Sequence, residues 1–164
     1  MAGMAAVCSE TDWQLPWEGG CRCGKVRIRV TAAPRQWQAD VSSGCQTMSA
    51  SAFSLSIGVP EDGFVVIAGE PETGGLHGEW RHFFCGSCKS WMFTRPPAGA
   101  GFVNLRASAL DRHNWFVPYV EFWTSEKLGW AVTPAVHSFE EQPPMEAFPD
   151  LLAQFAARGV CRPG

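Results

Sequence analysis

A mainly β domain with a short C-terminal helix is the fold class that the sequence predicts, and three observations carry it. Apolar and polar residues alternate strictly in several short runs. The chain holds 17 Gly and 12 Pro, more than the roughly 12% of average usage, so it is broken into short pieces. Helical spacing is visible only near the end. With 164 residues the chain suits one domain able to enclose a core.

Residues 1–18 read as an irregular N-terminal arm whose Trp13 and Trp17 dock on the body. Residues 25–31 put Val26, Ile28 and Val30 on one face and Arg27 and Arg29 on the other, the pattern of a half-buried strand. Pro34 closes it, and 36–41 is another strand. In 52–58 the residues Phe53, Leu55 and Ile57 point inward; the Pro60-Glu-Asp-Gly63 turn then returns the chain along 64–67, a predicted hairpin. Residues 69–78 read as a Gly-rich loop without a phosphate-binding pattern. Strands at 79–84, 90–94 and 102–105 follow, and 116–124 is a long aromatic strand whose Pro118 marks an edge or bulge. Residues 149–158 are helical, with Pro149 in the first turn and Gly159 as the stop. The body therefore spans 19–140, and 141–164 forms a C-terminal segment carrying the helix.

Charge narrows the function classes. Thirteen basic against sixteen acidic residues give a net charge of −3, which argues against a nucleic-acid partner. No polybasic segment invites a membrane surface, and no apolar run is long enough to span one. The opening residues lack the basic region of a targeting signal, so a soluble cytoplasmic protein is expected. Ten Arg against three Lys point to a GC-rich bacterial source.

The seven cysteines carry the chemistry. In a reducing compartment clustered thiols bind metal more often than they pair. Cys21-Arg-Cys23 and Cys85-Gly-Ser-Cys88 each lie beside Gly, so two tight turns can bring four sulfurs onto one tetrahedral zinc. Packing of four buried cysteines as small hydrophobes is the alternative. A redox role for Cys85 and Cys88 lacks the strand–turn–helix context. Cys8 and Cys161 are expected to be unliganded.

Gly20-Cys-Arg-Cys-Gly-Lys-Val-Arg27, Cys45-Gln-Thr-Met-Ser-Ala-Ser-Ala-Phe53 and Phe83-Phe-Cys-Gly-Ser-Cys-Lys-Ser-Trp-Met-Phe93 together resemble the glutathione-dependent formaldehyde-activating enzyme family, also called the centromere-protein-V-like domain. The resemblance covers roughly 19–125. It implies a tent-like β fold with a structural zinc on Cys21, Cys23, Cys85 and Cys88. It also implies a second, catalytic zinc and carbon–sulfur lyase chemistry on a glutathione thiohemiacetal.

At that second site the sequence departs from the family. The family's Cys-x-Cys-x-x-Cys positions fall on Asp40, Ser42 and Cys45. Asp40 and Cys45 could ligate a second zinc, one ligand short of the usual three, unless His77, His82 or a bound thiol completes the set. Asp40 and Ser42 as an ordinary polar turn is the competing reading. Cys45 as a free nucleophile would need nearby positive charge. Arg81, Arg95 and Lys89 could supply it, or could bind the carboxylates of a glutathione-like ligand; solvated side chains are their alternative. Of the eight Trp, most are expected in the core, with Trp91 over the structural zinc.

Two functions follow. One is a zinc-dependent carbon–sulfur lyase acting on glutathione (thiol)–aldehyde adducts. The other is a catalytically impaired, zinc-stabilised β module that binds a small molecule or protein partner.

Overall fold

The structure, a computed structural model, describes residues 14–158. Trp13, Cys8, Cys161 and Gly159 lie outside them, as does the side chain of His77. The chain is mainly β with a short C-terminal helix, as expected. In order it forms β1 (Trp17–Gly20), β2 (Arg27–Val30), β3 (Gln36–Asp40), α1 (Ser43–Ser49), β4 (Ser54–Pro60), β5 (Phe64–Ala68) and β6 (Pro71–His77). Then come β7 (Trp80–Cys85), β8 (Trp91–Arg95), β9 (Phe102–Arg106), β10 (Val120–Phe122), β11 (His137–Ser138) and α2 (Phe148–Arg158).

The strands make two sheets. The smaller has the order β1-β2-β5, and the larger β11-β10-β3-β4-β9-β8-β7-β6. Neighbours are antiparallel except β10, which runs parallel to both β3 and β11. Strand β2 buries Ile28 and Val30 and leaves Arg27 and Arg29 half-exposed, following its alternation. Apolar side chains between the sheets form the core; Phe64 of β5 meets Phe93 of β8 edge-on at 4.8 Å. At the other end Trp37 contacts Trp115 at 4.9 Å and Phe155 of α2 at 5.4 Å, which docks the C-terminal helix.

Several expectations are corrected. Residues 52–67 do not form a hairpin: β4 pairs with β3 and β9, and β5 pairs with β2 in the other sheet. A 3₁₀ turn at Glu61–Gly63 redirects the chain, because Thr31 N–H donates to the Gly63 carbonyl at 2.9 Å and ties it to β2. The phase in β4 also differs from alternation, since both faces are covered and Ser54 and Ser56 are buried.

Residues 69–78 are not a loop. Strand β6 pairs with β7 across a bulge between Thr73 and Gly75. Gly74 is required there by contact rather than by flexibility, since a Cβ would lie 2.3 Å from the Phe84 ring. The aromatic run 116–124 keeps only Val120–Phe122 as strand, because Trp115 and Phe116 turn inward to pack on Trp37. Trp17 and Glu18, assigned to the arm, belong to β1, where Trp17 is buried. Among the tryptophans, Trp17, Trp37 and Trp115 are core, whereas Trp80 and Trp130 are exposed.

The end of the chain is not its only helix. The seven-residue α1 starts at Ser42, whose side chain accepts from Cys45 N–H at 3.3 Å. Its Ser, Gly and Thr content and lack of apolar periodicity hid it.

Candidate functional site

Cys21 and Cys23 lie in the turn between β1 and β2. Cys21 N–H donates to the Val26 carbonyl at 3.0 Å, and Val26 N–H donates back to the Cys21 sulfur at 3.3 Å. Gly24 takes a left-handed φ of 77° to close this turn. Cys85 ends β7 and Cys88 lies in the turn to β8, closed by Lys89 N–H to the Cys85 carbonyl at 2.9 Å, with Lys89 at φ 57°. A side chain on Gly86 would strike the Glu72 carboxylate at 2.3 Å. Between the turns, Arg22 N–H donates to the Ser90 hydroxyl at 3.2 Å and Lys25 Nζ to the Ser87 hydroxyl at 3.0 Å.

The four sulfurs converge. They all lie within 4.8 Å of one another, with Cys21–Cys23 at 3.5 Å and Cys23–Cys85 at 3.8 Å. Four Zn–S bonds of about 2.3 Å give a tetrahedral edge of roughly 3.8 Å, so the residues present fit such an ion. The charges ask for one. The Ser90 hydroxyl and then its backbone N–H hold Cys88 down at about 5. At Cys23 the Lys25 N–H pulls down most, yet burial and the sulfurs of Cys21, Cys88 and Cys85 together push it up to about 11. Packed thiols oppose one another's ionisation, and a cation among them removes that conflict. The identity of the ion is an expectation from the donor set.

The predicted second site is built differently. Asp40 accepts from Ser42 N–H at 3.0 Å, and the Ser42 oxygen caps α1. Both oxygens serve the turn. Cys45 follows, half-buried in the first turn of α1. Burial, then the Asp40 charge, raise its thiol above the ordinary range, against weaker lowering by Ser54, Arg106 and Ser42. His82 hydrogen-bonds Thr94 at 2.9 Å and sets its ring edge-on to Trp91 at 5.4 Å. Among the described residues Cys45, Asp40 and His82 join no group of three metal donors. This donor set does not fit a catalytic zinc.

Between the thiol cluster and α1 opens a cleft of 680 Å³. Its lining includes Cys21 and Ser90 from the thiol turns, Met48 and Phe53 from the α1 side, and Trp91 and Arg106 from β8 and β9. The guanidinium of Arg106 lies 4.0 Å over the Trp91 ring, and Nη1 donates to Ser54 Oγ at 2.9 Å. Of the candidate cations, Arg95 pairs with Glu61 at 2.8 Å and Lys89 with Glu72 at 3.2 Å. Lys89 also reaches the cleft rim. Arg106 was not anticipated, although its place after the apolar 102–105 run, before Ala-Ser-Ala, is a faint signal of enclosure.

Comparison with known proteins agrees with this geometry. The profile of the family described as glutathione-dependent formaldehyde-activating enzyme matches residues 16–126. No curated protein matches the chain. A solved Rhodobacter sphaeroides protein from a structural genomics programme is similar at 16% identity, with a TM-score of 0.50, over 59% of this chain and 90% of that one. That likeness concerns the fold alone. Among the described residues no helix is long and apolar enough to cross a membrane.

Proposed function

The chain belongs to the glutathione-dependent formaldehyde-activating enzyme family, and on that premise we propose that it makes or breaks the carbon–sulfur bond of thiol–aldehyde adducts, glutathione's among them. One observation carries the reading. Three separate segments of the family pattern, at 20–27, 45–53 and 83–93, supply residues to the same cleft, through Cys21, Met48, Phe53 and Trp91 among others.

The reaction asks for little machinery. In R–S–CH(OH)–R′ the hydroxyl loses its proton, the C=O bond forms, and the C–S electron pair leaves on sulfur, which takes a proton. Products are a thiol and an aldehyde, and no oxidant or reductant enters. The cleft would hold the adduct against Phe53 and Met48 and exclude part of the water. Hydroxyls of Ser51, Ser90 and Ser108 on its walls can pass the proton from oxygen to sulfur. A metal held by Cys21, Cys23, Cys85 and Cys88 would supply folding energy; all four positions are filled by protein sulfur, which leaves no open site for substrate.

Exchange spectroscopy on ¹³C-formaldehyde with glutathione tests the proposal. Protein at about one hundredth of the adduct concentration should raise the exchange rate ~10-fold, which corresponds to about a 10³-fold acceleration in the bound fraction, within the range of positioned acid–base groups. A rate equal to that without protein overturns it, and adduct binding without acceleration leaves a binding module in its place.

A further inference from the structure

Arg106 ends β9 with only 6% of its surface exposed. Burial draws its guanidinium down to about 10, so it stays charged at neutral pH. Such a charge is ordinarily matched by a carboxylate. Among the described residues no carboxylate lies within ion-pair distance of Arg106: Glu18, Asp111, Glu72, Glu61 and Glu121 are taken by other cations. Cys45 and then Asp40 act on Arg106 only through space. What the guanidinium does have is one hydroxyl, Ser54 Oγ, and the Trp91 face beneath it.

Two buried donors beside the cleft have no hydrogen-bond partner among the described residues: Arg106 Nε and the indole N–H of Trp91. Both residues line the cleft. Asp111, the acid on the rim, is bound by Arg27 Nη1 at 2.8 Å and so does not neutralise Arg106. A desolvated cation that lines a cleft and has no carboxylate partner is placed to receive an anion.

We propose that Arg106 is the anchor for a carboxylate of the ligand, so that the cleft selects carboxylate-bearing thiol adducts over neutral ones of the same shape. The inference rests on the adduct-binding reading and names its substrate class. The carboxylate can enter on the thiol half of the adduct or on the aldehyde half. Either way the guanidinium, held flat by Trp91 and Ser54, meets it with preset geometry and little ordering cost.

Two pairs of unreactive thioethers test it by calorimetry. S-Methylglutathione against its diethyl ester places the carboxylates on the thiol half. The carboxymethyl thioether of mercaptoethanol against its amide places one on the aldehyde half. The full chain should bind the acid at least ~10-fold more tightly than the neutral partner in one pair, the effect of one charge-assisted contact, and that pair identifies the half. In Arg106→Met the preference should fall below about 2-fold while the neutral partner binds as before. Its melting temperature should not drop, since an unmatched buried charge is removed.

Equal binding of acid and neutral forms by the unaltered chain overturns the proposal. So does a preference that survives Arg106→Met. Should that variant not fold, Arg106→Lys serves, keeping the charge but losing the fork; a preference undiminished in it is equally fatal. Because no turnover is involved, an acid preference without accelerated exchange sinks the lyase reading alone. Accelerated exchange without the preference sinks the anchor alone.

Discussion

Cys45 faces the two oxygens that bind α1 to β3 and lies near the Arg106 charge, but burial dominates and keeps its thiol protonated at neutral pH. Alkylation by iodoacetamide, followed by peptide mass spectrometry at pH 7.5, should therefore be slower at Cys45 than for free cysteine. It should keep rising above about pH 9, where a free thiol of pKa about 8.5 has begun to level off. A Cys45 as reactive as free cysteine at pH 7.5 would contradict the assignment. The cysteines were legible in the sequence because their meaning is local: short spacings beside Gly define the turns that aim the sulfurs. Arg106 was not, because burial confers its role. Ten Arg look alike in the sequence, and only the close of β9 against Trp91 and Ser54 distinguishes this one.

Two local devices fasten the elements next to β3. Ser42 caps α1, and Ser42→Ala should cost about 1 kcal/mol, read as a lower urea midpoint with an unchanged slope. Paired with β3, β10 is fastened through the buried Glu121, which accepts Lys127 Nζ at 2.8 Å, the Thr133 hydroxyl at 2.6 Å and the Ser138 hydroxyl at 2.8 Å. Burial alone would raise this carboxyl, but Lys127, then Thr133 and Ser138, outweigh it and lower it. A folded-state value below the unfolded one stabilises at neutral pH and is lost as pH falls through the folded value. Glu121→Gln should thus cost about 2 kcal/mol at pH 7, and the gap to the unaltered chain should shrink below about pH 4. Denaturant melts at both pH values check this. Strand β2 could be read from its alternation, whereas β6 could not. A strand with Gly where a neighbouring ring needs the space looks, in sequence, like a flexible loop.

Across the molecule, the thiol cluster joins the β1–β2 turn of the small sheet to the β7–β8 turn of the large one. A structural ion of this type contributes on the order of 10–16 kcal/mol of binding free energy. Removing it with a chelator should release the small sheet first, seen as lost amide-exchange protection at 17–30 and 64–68 while 54–60 and 102–106 stay protected. Uniform loss across both sheets would show that the ion holds the whole fold instead. The sheet order itself was beyond sequence reasoning: β4 and β5 carry hairpin punctuation yet part to different sheets, since the Thr31–Gly63 bond and the Phe64–Phe93 contact decide the matter at long range. The thiols also differ in reach: Cys21 and Cys85 are buried, and Cys23 is exposed. A competing thiol or chelator would therefore meet an ion held here first at Cys23, while Cys21 and Cys85 would keep their sulfurs shielded from it.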